Sequence, residues 1–117
     1  MTLKEFYSAI GGDYEGAKSR FSTDERIKKF ALKFENDNNY NDLCKALTAG
    51  NVKDAFRAAH TLKGVCLNLG FDSLYRSASA VTEILRAGSL DTGSWMTELK
   101  SNYIILMSAL NSLKYQS

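Results

Sequence analysis

Between Val52 and Leu69, the residues Val52, Ala55, Phe56, Ala59, Leu62, Cys66 and Leu69 form one continuous apolar stripe. Its period is about 3.6 residues, the signature of a helix with one face against a core. Asn51 stands where an N-cap side chain is wanted. Gly70 suits the left-handed position after the last turn, with Phe71 folding back as its hydrophobic partner. The pattern therefore predicts a helix over about residues 51–69. Nothing elsewhere opposes helix: the chain has no proline in 117 residues, so its strongest breaker is missing.

The same reading extends in both directions. Thr2 and Glu5 resemble a capping box, followed by Leu3, Phe6 and Ile10 at helical spacing and stopped by Gly11-Gly12. Asp13 can cap a short helix carrying Tyr14, Ala17 and Phe21. Ser22 and Glu25 form a second box-like pair ahead of Ile27, Phe30, Ala31 and Phe34. After "NDNN" a helix from about Asn39 to Ala49 turns Tyr40, Leu43, Cys44 and Leu47 inward and closes at Gly50. Beyond Gly70, Asp72 or Ser73 restarts the chain; Leu74, Ala78, Val81 and Leu85 are the buried face of a helix ending at Gly88. A long last helix carries Trp95, Leu99, Tyr103, Leu106, Leu110 and Leu113.

No stretch alternates as a strand, and the connections are short, which favours antiparallel neighbours. The expectation is a single all-α domain over residues 1–117, an antiparallel up-down four-helix bundle with additional short N-terminal helices. Residues 1–21 read as an N-terminal helical lid and residues 22–117 as the bundle.

Composition narrows the use of such a bundle. Fifteen basic and 13 acidic residues are interleaved for a net charge of +2, without the basic tract or aromatic-basic alternation that grips nucleic acid. Apolar runs such as 103–107 are too short to span a bilayer, and the N-terminus carries no signal-peptide pattern. Cys44 and Cys66 fall at helical positions well apart and read as small buried hydrophobes rather than a disulfide or ligand pair. A cytoplasmic location, with neither membrane nor nucleic acid as partner, is the expectation.

The motif helix carries the chain's only histidine, His60, in "AAHTLKGVCLNLG". With about 100° per residue, Gly64 lies about 40° to one side of His60 and Lys63 about 60° to the other, each one turn on. Arg57 is about 60° away one turn before, and Lys53 and Leu67 fall within about 20° of the same line two turns off. These residues form a face bordering the apolar stripe, with His60 at its margin. A lone histidine on an amphipathic helix is most often an incidental surface residue, and Arg57 and Lys63 also fit a solvated face. Gly64 is harder to place in that account. A glycine inside a helix costs roughly 1 kcal/mol relative to alanine, and close approach of another body is the usual compensation.

The chemistry points the same way. Neutral imidazole is a good nucleophile, since its unperturbed pKa is about 6.5. Phosphoryl transfer asks for in-line access and positive charge around the transferred oxygens, which Lys63 and Arg57 can supply. One histidine is poor support for a zinc site, and Gly11-Gly12, with no Lys-Ser/Thr pair directly following a glycine, reads as a helix stop rather than a phosphate loop.

"AAHTLKGVCLNLG" resembles the core motif of histidine-containing phosphotransfer (HPt) domains: a histidine, two residues, Lys-Gly, and a glycine six positions later. His60, Lys63, Gly64 and Gly70 match it. "AIGGDYEGAKSRF", "KKFALKFENDNNYNDLCKALTAGNVKDAFRAAHTLKG" and "FDSLYRSASAVTEILRAG" are similar in phrasing to bacterial members, so the resemblance covers nearly the whole chain. It implies a four-helix bundle whose exposed His60 is phosphorylated on Nε2, with Lys63 steadying the phosphate and Gly64 giving clearance. Thr82 stands where many members carry Gln or Glu to orient the imidazole. Thr82 is shorter, so orientation by Thr82, by a water and by a backbone carbonyl all stay open.

The resemblance further implies a monomeric phosphorelay intermediate that takes a phosphoryl group from one receiver aspartate and gives it to another. Receivers of response regulators or hybrid histidine kinases are its expected partners. It implies a phosphotransfer protein rather than an enzyme with its own ATP-binding or kinase domain. It needs no cofactor and no metal of its own, magnesium coming with the receiver. A docking surface of Leu67, Phe71 and Arg76 around His60, ringed by Lys63 and Arg57, is expected, although Leu67 and Phe71 also fit as core caps. Two other readings are compatible with the same residues: the phosphotransfer module of a hybrid or chemotaxis-type kinase, phosphorylated by an ATP-binding domain, and a non-catalytic receiver-binding adaptor. The initial Met1 and the ending at Ser117 favour a free-standing protein over an excised module.

Overall fold

In a computed structural model, which describes residues 1–115, helices follow one another with short connections. They are α1 (Leu3–Ala9), α2 (Tyr14–Phe21), α3 (Asp24–Lys33), a 3-10 turn (Phe34–Asn36), α4 (Asn39–Thr48), α5 (Val52–Leu69), α6 (Asp72–Arg86) and α7 (Gly93–Lys114). No strand occurs among the described residues. Residues 116 and 117, the end of the expected bundle, lie outside them.

Most helix ends sit where local chemistry puts them. The Thr2 hydroxyl accepts from the Glu5 N–H at 3.1 Å and the Glu5 carboxylate accepts from the Thr2 N–H at 2.6 Å, a complete capping box. Asp13 caps α2 by accepting from the Gly16 N–H at 3.0 Å. Asn51 caps α5 by accepting from the Asp54 N–H at 3.0 Å. At the other end of α5, Gly70 is left-handed (φ 73°), and the Phe71 N–H returns to the Cys66 carbonyl at 2.9 Å. One expected cap is displaced. Ser22 has φ 74° and ends α2, while the Thr23 hydroxyl accepts from the Arg26 N–H and starts α3.

Helix α5 is central. It packs against α6 on one side and α4 on the other, and α6 returns along α5 before handing over to α7. The stripe behaves as its period requires: Ala55, Ala59, Leu62, Cys66 and Leu69 are buried, while Val52 and Phe56 are half-buried at its edge. Leu74, Ala78, Val81 and Leu85 of α6 and Leu99, Leu106, Leu110 and Leu113 of α7 are buried in the same core, with α7 packed on α6. Each large aliphatic side chain fully removed from water contributes about 1.5–3 kcal/mol. Trp95, in the first turn of α7, is 42% exposed. Tyr103 is half-buried and stacks on Tyr40 with ring centroids 3.9 Å apart. Cys44 and Cys66 are both free thiols, and burial pushes the Cys66 thiol well up from its ordinary value. No helix among the described residues is long and apolar enough to cross a membrane.

The N-terminal helices do more than cover an end. Phe6 and Tyr7 are fully buried, and the rings of Phe6 and Phe34 meet Phe71 edge-on at 6.0 and 5.5 Å. The Gly11-Gly12 turn lies directly on the α5–α6 turn. There the Asp13 N–H donates to the Gly70 carbonyl at 2.8 Å, and a Cβ on Gly12 would stand 2.7 Å from that same oxygen. This turn is therefore a close backbone junction as well as a helix stop.

Candidate functional site

His60 lies in the middle of α5, and its side chain is exposed. Among the described residues it makes no hydrogen bond and no ion pair. Among the described residues its one ring contact is with Phe56, one turn earlier, at 5.7 Å between centroids and 14° between planes. One turn later, an alanine-like Cβ on Gly64 would meet nothing within 4 Å. The space beside the imidazole is open to solvent rather than filled by another helix.

Cations frame this opening. Lys63 is half-buried, with no ion-pair partner among the described residues. Arg57 is exposed and lies 3.5 Å from the Asp54 carboxylate, an exposed pair of the kind worth about 0–1 kcal/mol and easily released. It lines a groove between α4 and α5 together with Asp42, Lys45 and Thr61. On the α6 side, the Arg86 guanidinium carbon stands 4.9 Å from the Phe56 ring centroid, and Glu83 holds that guanidinium at 3.0 Å. Among the described residues no three His, Cys, Asp or Glu side chains gather as a metal cage.

An exposed imidazole, an open flank and surrounding cations meet on a single helix that continues into a left-handed glycine. The family model for the Hpt domain matches residues 31–108. The chain belongs to the Hpt domain family. No curated protein and no solved structure matches it. An Hpt domain is a histidine phosphotransfer module of two-component phosphorelays and interacts with receiver domains.

In this Hpt domain the motif residues His60, Lys63 and Gly64 share the exposed side of α5, while Gly70 closes that helix. The outer residues expected around them divide. Leu67 is 53% exposed on the same helix. Phe71 is 1% exposed, so it is a core residue and has no face to offer a partner. The fold-back over Gly70 that the sequence predicts is what carries it inside. Arg76 is exposed on α6, but lies about 15 Å along the helix axis from Arg86, at the Leu67 end of α5. Thr82 is fully buried, and its hydroxyl donates to the Ala78 carbonyl at 2.7 Å. Its only proton is spent within its own helix and is not offered to the imidazole.

Sequence reasoning passed over several residues of this region of the Hpt domain. Phe56 belongs to the apolar stripe by its period, yet four residues before His60 is also a neighbouring position on a helix face. Arg86 and Glu83 reach it only because α6 returns along α5, which no local spacing reveals. At the far end of α5, Arg20 donates to the Leu67 and Asn68 carbonyls at 3.0 and 2.7 Å. The Tyr7 hydroxyl donates to the Leu69 carbonyl at 2.6 Å. Carbonyls in the last turn of a helix have no partner within it, so α1 and α2 supply donors to the end of the motif helix.

Proposed function

We propose that His60 is the phosphorylated residue of a phosphorelay intermediate, receiving a phosphoryl group from one receiver aspartate and passing it to another. The observation that carries this reading is Gly64. A mid-helix glycine costs roughly 1 kcal/mol, and no neighbour within 4 Å of its missing Cβ repays that cost through packing. What is gained lies outside the molecule, in the approach of a partner to the adjacent imidazole.

The transfer is an in-line displacement. The Nε2 lone pair of His60 attacks phosphorus as the aspartyl phosphorus–oxygen bond breaks. The carboxylate leaves with that electron pair, and the proton on Nδ1 stays on the ring. Onward transfer is the reverse: a second carboxylate oxygen attacks, the nitrogen–phosphorus bond breaks and its electrons return to Nε2. Lys63 lowers the cost of the charge on the equatorial oxygens, and Arg57, released from Asp54, adds to it. Magnesium arrives with the receiver, and the chain acts as a cytoplasmic monomer without an ATP site. Leu67 gives the docking surface an exposed apolar contact, and charged side chains give it a rim. In this reading α4 to α7 form an up-down antiparallel four-helix bundle within one domain, to which the shorter N-terminal helices add.

The test is transfer of radiolabel from receiver domains charged on aspartate. Wild-type chain should take up an acid-labile label, and the folded variant His60→Gln should take up none. Equal labelling of the variant would remove His60 from the reaction, and receiver binding without any label would leave an adaptor.

A further inference from the structure

The exposed imidazole has no hydrogen-bond partner among the described residues to set the angle of its ring. The torsion that turns such a ring is broad, whereas in-line transfer tolerates little misalignment of the attacking lone pair. The polar route from the return helix is closed, because the Thr82 hydroxyl donates to Ala78. An aromatic route is present. Phe56 lies nearly parallel to the imidazole, 14° off, with centroids 5.7 Å apart. It is half-buried at the α5–α6 boundary, so its own ring is restrained by packing. Arg86 stands over it at 4.9 Å, where a cation is attracted by the negative face of the ring. Glu83 fixes Arg86 through a 3.0 Å ion pair one turn earlier on α6.

We propose that Phe56 is a positioning residue for the His60 imidazole, itself held by the Arg86–Glu83 pair of α6. The inference rests on His60 being the phosphorylated residue. Phe56 does not touch the phosphoryl group; it limits the planes open to the imidazole, so that one nitrogen faces the clearance beside Gly64. The return helix thus influences the histidine through a flat apolar wall, where a longer polar side chain would do so by hydrogen bonding.

The full chain is compared as wild type, Phe56→Tyr, Phe56→Leu and Arg86→Gln, with phosphoramidate as a small phosphodonor whose phosphorus–nitrogen bond breaks to release ammonia. Two quantities are read: the rate of His60 labelling, and the ring-proton and ring-nitrogen NMR shifts of His60. Phe56→Leu should slow labelling about tenfold and move the His60 ring protons toward values for an unstacked imidazole. Phe56→Tyr, which keeps the aromatic face, should stay near wild type in both. Arg86→Gln, at an exposed position, should slow labelling about threefold with a smaller change of shift. Unchanged rates and shifts in Phe56→Leu overturn the proposal; should that variant lose helicity, unchanged rates and shifts in Arg86→Gln overturn it instead. Wild-type chain that shows stacked-ring shifts yet takes no label overturns the phosphorylation reading, a result distinct from failure of the positioning role.

Discussion

The Tyr7 hydroxyl donates a 2.6 Å hydrogen bond to the Leu69 carbonyl, joining the first helix to the last turn of the helix that carries His60. Arg20 adds two further donors to the same turn. Both residues precede the segment matched by the Hpt model, residues 31–108. The motif helix is thus supported at its end by helices that lie before the matched segment.

Burial of the Tyr7 phenol makes stability fall at alkaline pH. Burial pushes the Tyr7 phenol up from its ordinary value near 10. The folded state therefore keeps a proton that the unfolded state releases once pH exceeds about 10. Stability is fully present below that pH and falls as pH rises above it, by at most about 1.4 kcal/mol per pH unit for one such proton. Tyr7→Phe should cost about 1–3 kcal/mol at neutral pH by leaving the Leu69 carbonyl unpaired, and should flatten the alkaline decline. Urea unfolding at pH 7 and across pH 9 to 11 measures both effects.

Leu67 and Phe71 stand close in sequence yet answer to different forces. Phe71 is enclosed by Phe6, Tyr7 and Phe34, so Phe71→Ala should cost about 3–5 kcal/mol of stability. Leu67→Ala should leave stability within about 0.5 kcal/mol and weaken receiver binding. Denaturant midpoints combined with receiver titration separate the two: a stable Phe71→Ala, or full receiver affinity in Leu67→Ala, would contradict these assignments.

Much of this was legible in the sequence because it depends on short spacing. The period from Val52 to Leu69, the Thr2–Glu5 box, the Asn51 cap and the Gly70 turn each follow from residues within a few positions of one another. The same holds for the face shared by His60, Lys63, Gly64 and Leu67. What was not legible depends on distant segments meeting. Arg86 over Phe56, Arg20 on the end of α5, and Gly12 against Gly70 all require helices to return to one another. Ser22 illustrates a local limit: two adjacent hydroxyl residues, Ser22 and Thr23, both suit a cap, and only the left-handed turn at Ser22 assigns the role to Thr23.

Thr82 offers a direct check on how the imidazole is held. Its hydroxyl bonds to the Ala78 carbonyl within α6, and that carbonyl is also within reach of the helix's own N–H ladder. Thr82→Val keeps the shape and removes the hydroxyl. It should change stability by no more than about 1.5 kcal/mol and leave the His60 NMR shifts and labelling rate as in wild type. A marked loss of labelling in a well-folded Thr82→Val would restore this residue as the orienting group.

Gly64 allows stability and function to be moved in opposite directions by one substitution. Because a Cβ there meets no neighbour within 4 Å, Gly64→Ala should stabilise the helix by up to about 1 kcal/mol through lower backbone entropy in the unfolded chain. The same methyl enters the space beside His60 through which a receiver's aspartyl phosphate approaches, so transfer from the receiver should slow. Gly64→Gln, with a longer side chain, should slow it further while remaining helical. Thermal melting and receiver-dependent labelling, measured on the same preparations, decide the point. A glycine retained for packing would show the reverse, with stability lost; a glycine without a role would show full transfer in both variants. Only a chain kept less stable so that a partner can reach the imidazole gains stability and loses transfer together.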